Sequence, residues 1–223
     1  SSHLKSFGYF NDASMVGIAA LPPSALLNTP YRNPDIDRLA QDLKTRQTKT
    51  LASGIDVIMA DLRDSMSAPP STIVGHQYAI VFLYDMPRDP RPEELGADWL
   101  ENAQAHRACL RASETAVVLA NYIRVLGWDA KAHTATSADV DLNQLTVAAG
   151  LACVEDGVLV NPYLGSRFGV AVVTTTMPLA CDAPLAPMKH QTWLRTNAPA
   201  WWIGAGSTKS AFTKDPFARR DFV

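Results

Sequence analysis

Residues 146–182, TVAAGLACVEDGVLVNPYLGSRFGVAVVTTTMPLACD, constrain the fold more than any other stretch of the chain. A glycine-bearing bend leads into the short apolar strand Val158–Val160, and a second tight bend leads into the β-branched run Phe168–Thr176. Val, Thr and aromatic side chains suit a pleated, half-buried surface, so the last run predicts a strand. Gly150, Gly157, Gly165 and Gly169 lack a Cβ. They let the chain turn sharply and bring bare backbone close to a neighbour, including a large flat ligand.

The remaining pattern alternates strands with helices. Tyr9–Leu21 reads as a helix end followed by the strand Val16–Leu21, which stops at Pro22-Pro23. Ile36, Leu39, Ala40 and Leu43 recur at helical spacing behind Asp35, and Ile55, Ile58, Met59, Leu62 and Met66 form a second such stripe. The continuous apolar run Tyr78–Tyr84 predicts a strand covered on both faces. After the proline-rich loop Pro87–Pro92 comes the longest helical pattern, from Glu93 to about Leu126, with a break near Ala112 and a stop at Gly127. Its alanines suit close packing, while His106 and Arg107 fit a solvated face. Trp128–Thr136 reads as a strand and Asp141–Ala149 as a short helix. Together these elements predict an α+β layered domain with one long central helix.

Composition excludes several functions. A net charge of −2 and no basic stripe interleaved with aromatics disfavour nucleic-acid binding. No apolar run approaches the roughly 18–20 residues that span a bilayer. The three cysteines, Cys109, Cys153 and Cys181, form no Cys-x-x-Cys, so no iron–sulfur or zinc motif is readable. The five histidines do not pair at metal-ligand spacing, and no metal residue is assigned. No Gly-x-Ser-x-Gly elbow marks a hydrolase. Ser1–Leu4 reads as a tag remnant or trimmed start, which leaves room for a removed targeting segment. The tail from Pro184, with Trp201 and Trp202, is rich in Pro, Ala, Ser and Lys and predicts packing onto something else.

The order of pieces resembles the cobalamin-dependent reductases, the group that contains reductive dehalogenases and epoxyqueuosine reductase. The matching residues are Leu145, Ala149-Gly150-Leu151, Val158–Val160, Pro162-Tyr163-Leu164-Gly165 and Thr175-Thr176-Met177-Pro178-Leu179. Phe10–Ala19 resembles the group's opening helix-to-strand element, and Ala120–Gly127 resembles its helix end. The likeness covers roughly residues 7–187 and is greatest to the long, non-respiratory reductive dehalogenases.

That resemblance implies a nitroreductase-like mixed sheet flanked by helices, built around cobalamin. It implies a module over residues 1–187 and, over 188–223, an extended connector toward a catalytic and iron–sulfur part. Cobalamin contacts carried over from the family fall on Ala149, Gly150 and Leu151 in the first bend. In the second bend they fall on Tyr163, Gly165, Ser166 and Arg167, the last facing a phosphate or propionamide group. The 4Fe–4S clusters are expected only in the other part of the polypeptide. The chain departs from the family pattern at Ala152-Cys153, Leu164 and Thr176. The family's proton-transfer positions fall on or near Thr136, Asp139 and Asp141, with Tyr78, Tyr84 and Tyr163 as further candidates, and no catalytic residue is assigned. These departures imply a degenerate, structural, amino-terminal module, itself not catalytic, in an enzyme that cleaves carbon–halogen bonds reductively. Its partner would be the catalytic cobalamin module of the same full-length chain, its substrate a halogenated organic compound and its compartment the cytoplasm. The alternatives are a stand-alone cobalamin-binding module and a flavin nitroreductase-like protein.

Overall fold

The computed structural model describes residues 1–35, 38, 72–86, 93–97 and 102–185. Its centre is a four-stranded antiparallel sheet. In chain order the strands and helices are α1 (Ser2–Phe10), β1 (Met15–Ala20), β2 (Leu26–Arg32), β3 (Tyr78–Asp85) and α2 (Ala103–Val125). They continue with β4 (Ala130–His133), β5 (Ser137–Val140), α3 (Leu142–Ala148), β6 (Cys153–Glu155), β7 (Val158–Val160) and β8 (Phe168–Thr175). The central sheet has the order β1-β3-β8-β4, while β2 pairs with β5 and β6 with β7 in two small ribbons. Helices cover both faces, so the α+β architecture anticipated from the pattern is the one observed.

Side chains alternate across the two central strands. Ile80, Phe82, Ala171 and Val173 point into one core, which α1 and α2 close with Leu4, Leu119 and Ile123. Val81, Leu83, Phe168 and Val172 point into the other, closed by Leu145, Ala149 and Leu151 around α3. Both faces of β3 and β8 are therefore dry, which is why these strands read as unbroken apolar runs. Small residues Ala108, Ala112, Ala116 and Ala120 bring α2 down onto the sheet. At Gly169 the approach is closest, since a Cβ there would lie 2.7 Å from the Ala108 carbonyl carbon and 2.8 Å from the Cys109 nitrogen.

Several expectations need correction. Helix α2 begins at Ala103, with Asn102 before it at φ +61°, and runs through Ala112 without a break. Ala108, Ala112, Ala116 and Ala120 all lie on its buried face, so nothing interrupts the packing there. Strand β4 is shorter than Trp128–Thr136, because Thr134 and Ser137 close a tight turn through N–H···O bonds of 2.8 and 3.2 Å. At the start of the chain Leu4 is buried in the core, and the Ser1 hydroxyl accepts the Ala180 N–H at 2.8 Å. The stripes at residues 36–43 and 55–66 and the tail from 186, including Trp201 and Trp202, lie outside the described residues, apart from Arg38.

Candidate functional site

The first bend is built by the end of α3. Asp141 caps the helix, its carboxylate accepting the N–H groups of Asn143 and Gln144 at 2.9 and 3.1 Å. The helix stops at Gly150, φ +68°, whose N–H donates to Val147 O at 3.0 Å while the Leu151 N–H donates to Thr146 O at 3.1 Å. This left-handed glycine ending satisfies the last carbonyls of the helix. Ala149 and Leu151 are buried against Gly17, where a Cβ would stand 2.6 Å from Ala149 O. The bare side of Gly150 is occupied as well: the Ala183 carbonyl oxygen sits where its Cβ would be. That carbonyl is held in place by Asp182. The Asp182 N–H donates to Ile18 O at 2.7 Å, and its carboxylate accepts the Ile18 N–H at 2.8 Å and the Lys5 ammonium at 2.6 Å.

Asn161, fully buried, ties the second bend to the first. Its side-chain amide donates to Leu151 O at 2.5 Å, and its Oδ1 accepts the Tyr163 and Leu164 N–H groups, each at 2.8 Å. Its backbone exchanges two hydrogen bonds with Gly165, at 2.8 and 3.0 Å. Tyr163 is exposed, and Gly165 takes φ +66°. Arg167 lies beside Met86: its carbonyl accepts the Met86 N–H at 3.1 Å and its Nε donates to Met86 O at 3.5 Å. Ser166 borders an open-mouthed cleft of about 300 Å³ whose other walls include Cys109, Leu142, Leu159, Phe168 and Val170. The seven family-derived contact residues thus fall on two bends joined by Asn161. That asparagine escaped the sequence reading, although an Asn just before Pro162-Tyr163 is the residue that makes an Asx-type turn.

A polar cluster closes the opposite end of β8. The Asp139 N–H donates to His133 Nδ1 at 3.2 Å, so in the neutral ring the proton sits on Nε2, 2.9 Å from Thr174 Oγ1. The Thr174 hydroxyl then donates to His76 Nδ1 at 2.7 Å. Burial holds His133 down to about 4, with the Asp139 carboxylate opposing that shift, and it lowers His76 as well. Asp139 itself bonds Lys131 at 2.6 Å and Arg32 at 2.5 Å. Its burial disfavours the charge, but these two cations outweigh it and hold the carboxyl below its ordinary value.

Three of the proton-transfer candidates, Asp139, Asp141 and Tyr84, are engaged in structural contacts, whereas Tyr163 is exposed. Asp141 is a helix cap and Asp139 a double ion-pair partner. The buried Tyr84 hydroxyl donates to Asn11 O at 2.6 Å and shares a 2.5 Å bond with Thr115, and burial raises its pKa. Cys109, Cys153 and Cys181 form no disulfide, and burial raises the pKa of each. Among the described residues no cluster of His, Cys, Asp and Glu is arranged to hold a metal, and no helix is long and apolar enough to cross a membrane.

No protein-family model and no curated protein matches the chain. Among solved structures, the catabolic reductive dehalogenase NpRdhA superposes with a TM-score of 0.60 at 35% identity, over 83% of this chain and 21% of its own. A reductive dehalogenase structure described in connection with B12-dependent dehalogenation matches with the same figures. Epoxyqueuosine reductase from Streptococcus thermophilus aligns at 12% identity with a TM-score of 0.44, over 83% of this chain and 48% of its own. Over 83% of its length, then, this chain is a structural and sequence relative of reductive dehalogenase NpRdhA, and it spans 21% of that protein's length.

Proposed function

We propose that the chain is the amino-terminal, structural module of a cobalamin- and iron–sulfur-dependent reductive dehalogenase. In this reading residues 1–187 form the module and residues 188–223 lead toward a catalytic part. That part carries the cobalamin and the 4Fe–4S clusters, works on a halogenated organic substrate in the cytoplasm, and rests against this module. The observation that carries the reading is the state of the first bend. A corrinoid needs bare backbone to lie against, yet the Ala183 carbonyl covers Gly150 and α2 covers Gly169. The cleft beside Ser166, about 300 Å³, is at the small end of ligand pockets, which run roughly 300–1,000 Å³. The first bend therefore offers no bare backbone to a corrinoid, which supports a scaffolding role. Bound elsewhere in the enzyme, cobalamin supplies the low-valent metal that breaks the carbon–halogen bond.

Two measurements test this. The gene should continue past Val223 into a second module and two cysteine clusters. Purified residues 1–223 mixed with hydroxocobalamin at tens of micromolar should show neither a shifted visible spectrum nor co-elution. Co-elution would replace the scaffolding role with a cobalamin-binding one centred on Tyr163, Ser166 and Arg167.

A further inference from the structure

The hydrogen-bond register of β8 leaves one part of the sheet unfinished. Met86 N–H donates to Arg167 O and Gln77 N–H to Thr175 O, so odd-numbered residues of β8 direct their backbone groups toward β3. Even-numbered residues face the other way, as Thr176 does when its N–H meets Asp129 O. On that side β4 covers only Val172–Thr175, because it ends at His133, paired with Val172. The outward N–H and C=O groups of Phe168 and Val170 consequently have no partner among the described residues. Both residues line the 300 Å³ cleft. Cys109 borders it from the α2 face, and Leu142 and Leu159 border it from the α3 face. The cleft therefore lies in the plane of the sheet, where the next strand would run.

We propose that this slot receives an extended polypeptide strand, which pairs with Phe168 and Val170 and completes the sheet. A strand is the occupant that satisfies all four backbone groups at once, as buried main-chain groups require. The walls are mostly apolar with no ionised side chain among them, which suits short aliphatic side chains. Three extended residues at ~3.3 Å each fill the length that Phe168–Val170 presents. Under the reading above, the natural source is the part of the dehalogenase polypeptide that this chain does not span. The pairing chemistry itself depends only on the sheet.

Amide hydrogen exchange on isotope-labelled residues 1–223 tests it directly. Phe168 and Val170 should exchange at least ~10-fold faster than Gly169 and Ala171, whose groups face β3. Equal protection of all four would mean that the edge is already filled by the chain itself, which overturns the proposal. Added acetyl-Val-Thr-Val-Thr-Val-amide at millimolar concentration should then slow Phe168 and Val170 selectively, by ~10-fold near saturation. No slowing overturns the proposal. So does equal slowing by the same peptide N-methylated on alternate residues, since that would be apolar filling alone. Val170→Pro removes an N–H outside the β3 ladder, so the variant should fold and lose the peptide effect. If it does not fold, Leu159→Trp, which fills the slot from its wall, should abolish the effect instead. A reading frame that continues past Val223 with no peptide protection removes this inference alone. Protection in a chain whose frame does not continue removes the dehalogenase reading alone.

Discussion

The two ends of β8 solve the same problem differently. At Thr174 and Thr175 every direction is closed: β3 and β4 pair on both edges, Thr175 Oγ1 donates to Asp129 O at 2.7 Å, and Thr174 sits between two imidazoles. At Phe168–Val170 the faces are covered too, with Gly169 against α2 and Phe168 in the second core, but Val170 is only half-buried and β4 is absent from the edge. Covering a face and pairing an edge are separate tasks. Apolar side chains accomplish the first, and the length of a neighbouring strand accomplishes the second.

The largest test of the sealed end is Thr174→Val. The substitution keeps shape and β-branching but removes the hydroxyl that His133 Nε2 and His76 Nδ1 both use. Two buried ring nitrogens lose their partner at about 1–3 kcal/mol each, so a loss of roughly 2–6 kcal/mol is expected in urea unfolding. Thr174→Ser should recover most of it. A loss no larger than that of a surface Thr→Val change would show that the cluster merely fills space.

Acid should open the same end. His133 titrates near 6.5 when unfolded and at about 4 when folded. As pH falls below 6.5 the unfolded chain takes up a proton that the folded chain refuses. Stability therefore drops until pH 4, by about 3 kcal/mol at ~1.36 kcal/mol per pKa unit. His76, also lowered, steepens that limb, whereas Asp139, held below its ordinary value, adds its loss only at more acidic pH. In His133→Leu the slope between pH 6.5 and 4 should shrink. An unchanged slope would place the acid sensitivity elsewhere.

At the open end, Gly169→Ala probes the face rather than the edge. The new methyl would meet α2 backbone at Ala108 and Cys109, which cannot move as a side-chain tip can. Overpacking of that kind costs typically about 1–3 kcal/mol, again read from the urea midpoint. A neutral result would mean that the helix rides more loosely on this half of β8 than its contacts indicate.

What could be read from the sequence follows the same division between faces and edges. Strands β3 and β8 announced themselves through apolar or β-branched runs, because their faces are covered by the two cores. Strand β2, LLNTPYR, stayed invisible: it is almost entirely exposed, contains Pro30 and owes its existence to pairing with β5. The positions of the two bends were legible from Gly150 and Gly165, but not what would lie against them. Nothing local in Ala183 signals that its carbonyl will cover Gly150, since that contact spans the domain and depends on Asp182 reaching β1. Asn161 is similar, because its link to Leu151 O exists only once the bends have met.

The smallest effect concerns reactivity rather than stability. Cys109 borders the open slot, while Cys181 is exposed on the far side of the domain's sequence, beside Asp182. Burial raises both thiols, and the nearby carboxylate adds to the effect at Cys181, so neither is an activated nucleophile. Access then decides the order. Iodoacetamide should label Cys181 first and Cys109 more slowly, by about 10-fold, with little change in the urea midpoint. The informative comparison is Cys109 with and without Leu159→Trp. If the slot is the route of entry, filling it should slow Cys109 and leave Cys181 alone. Equal rates in the two proteins would mean that Cys109 is reached by local opening of α2, and the contrast between the closed and open ends of β8 would lose its physical basis.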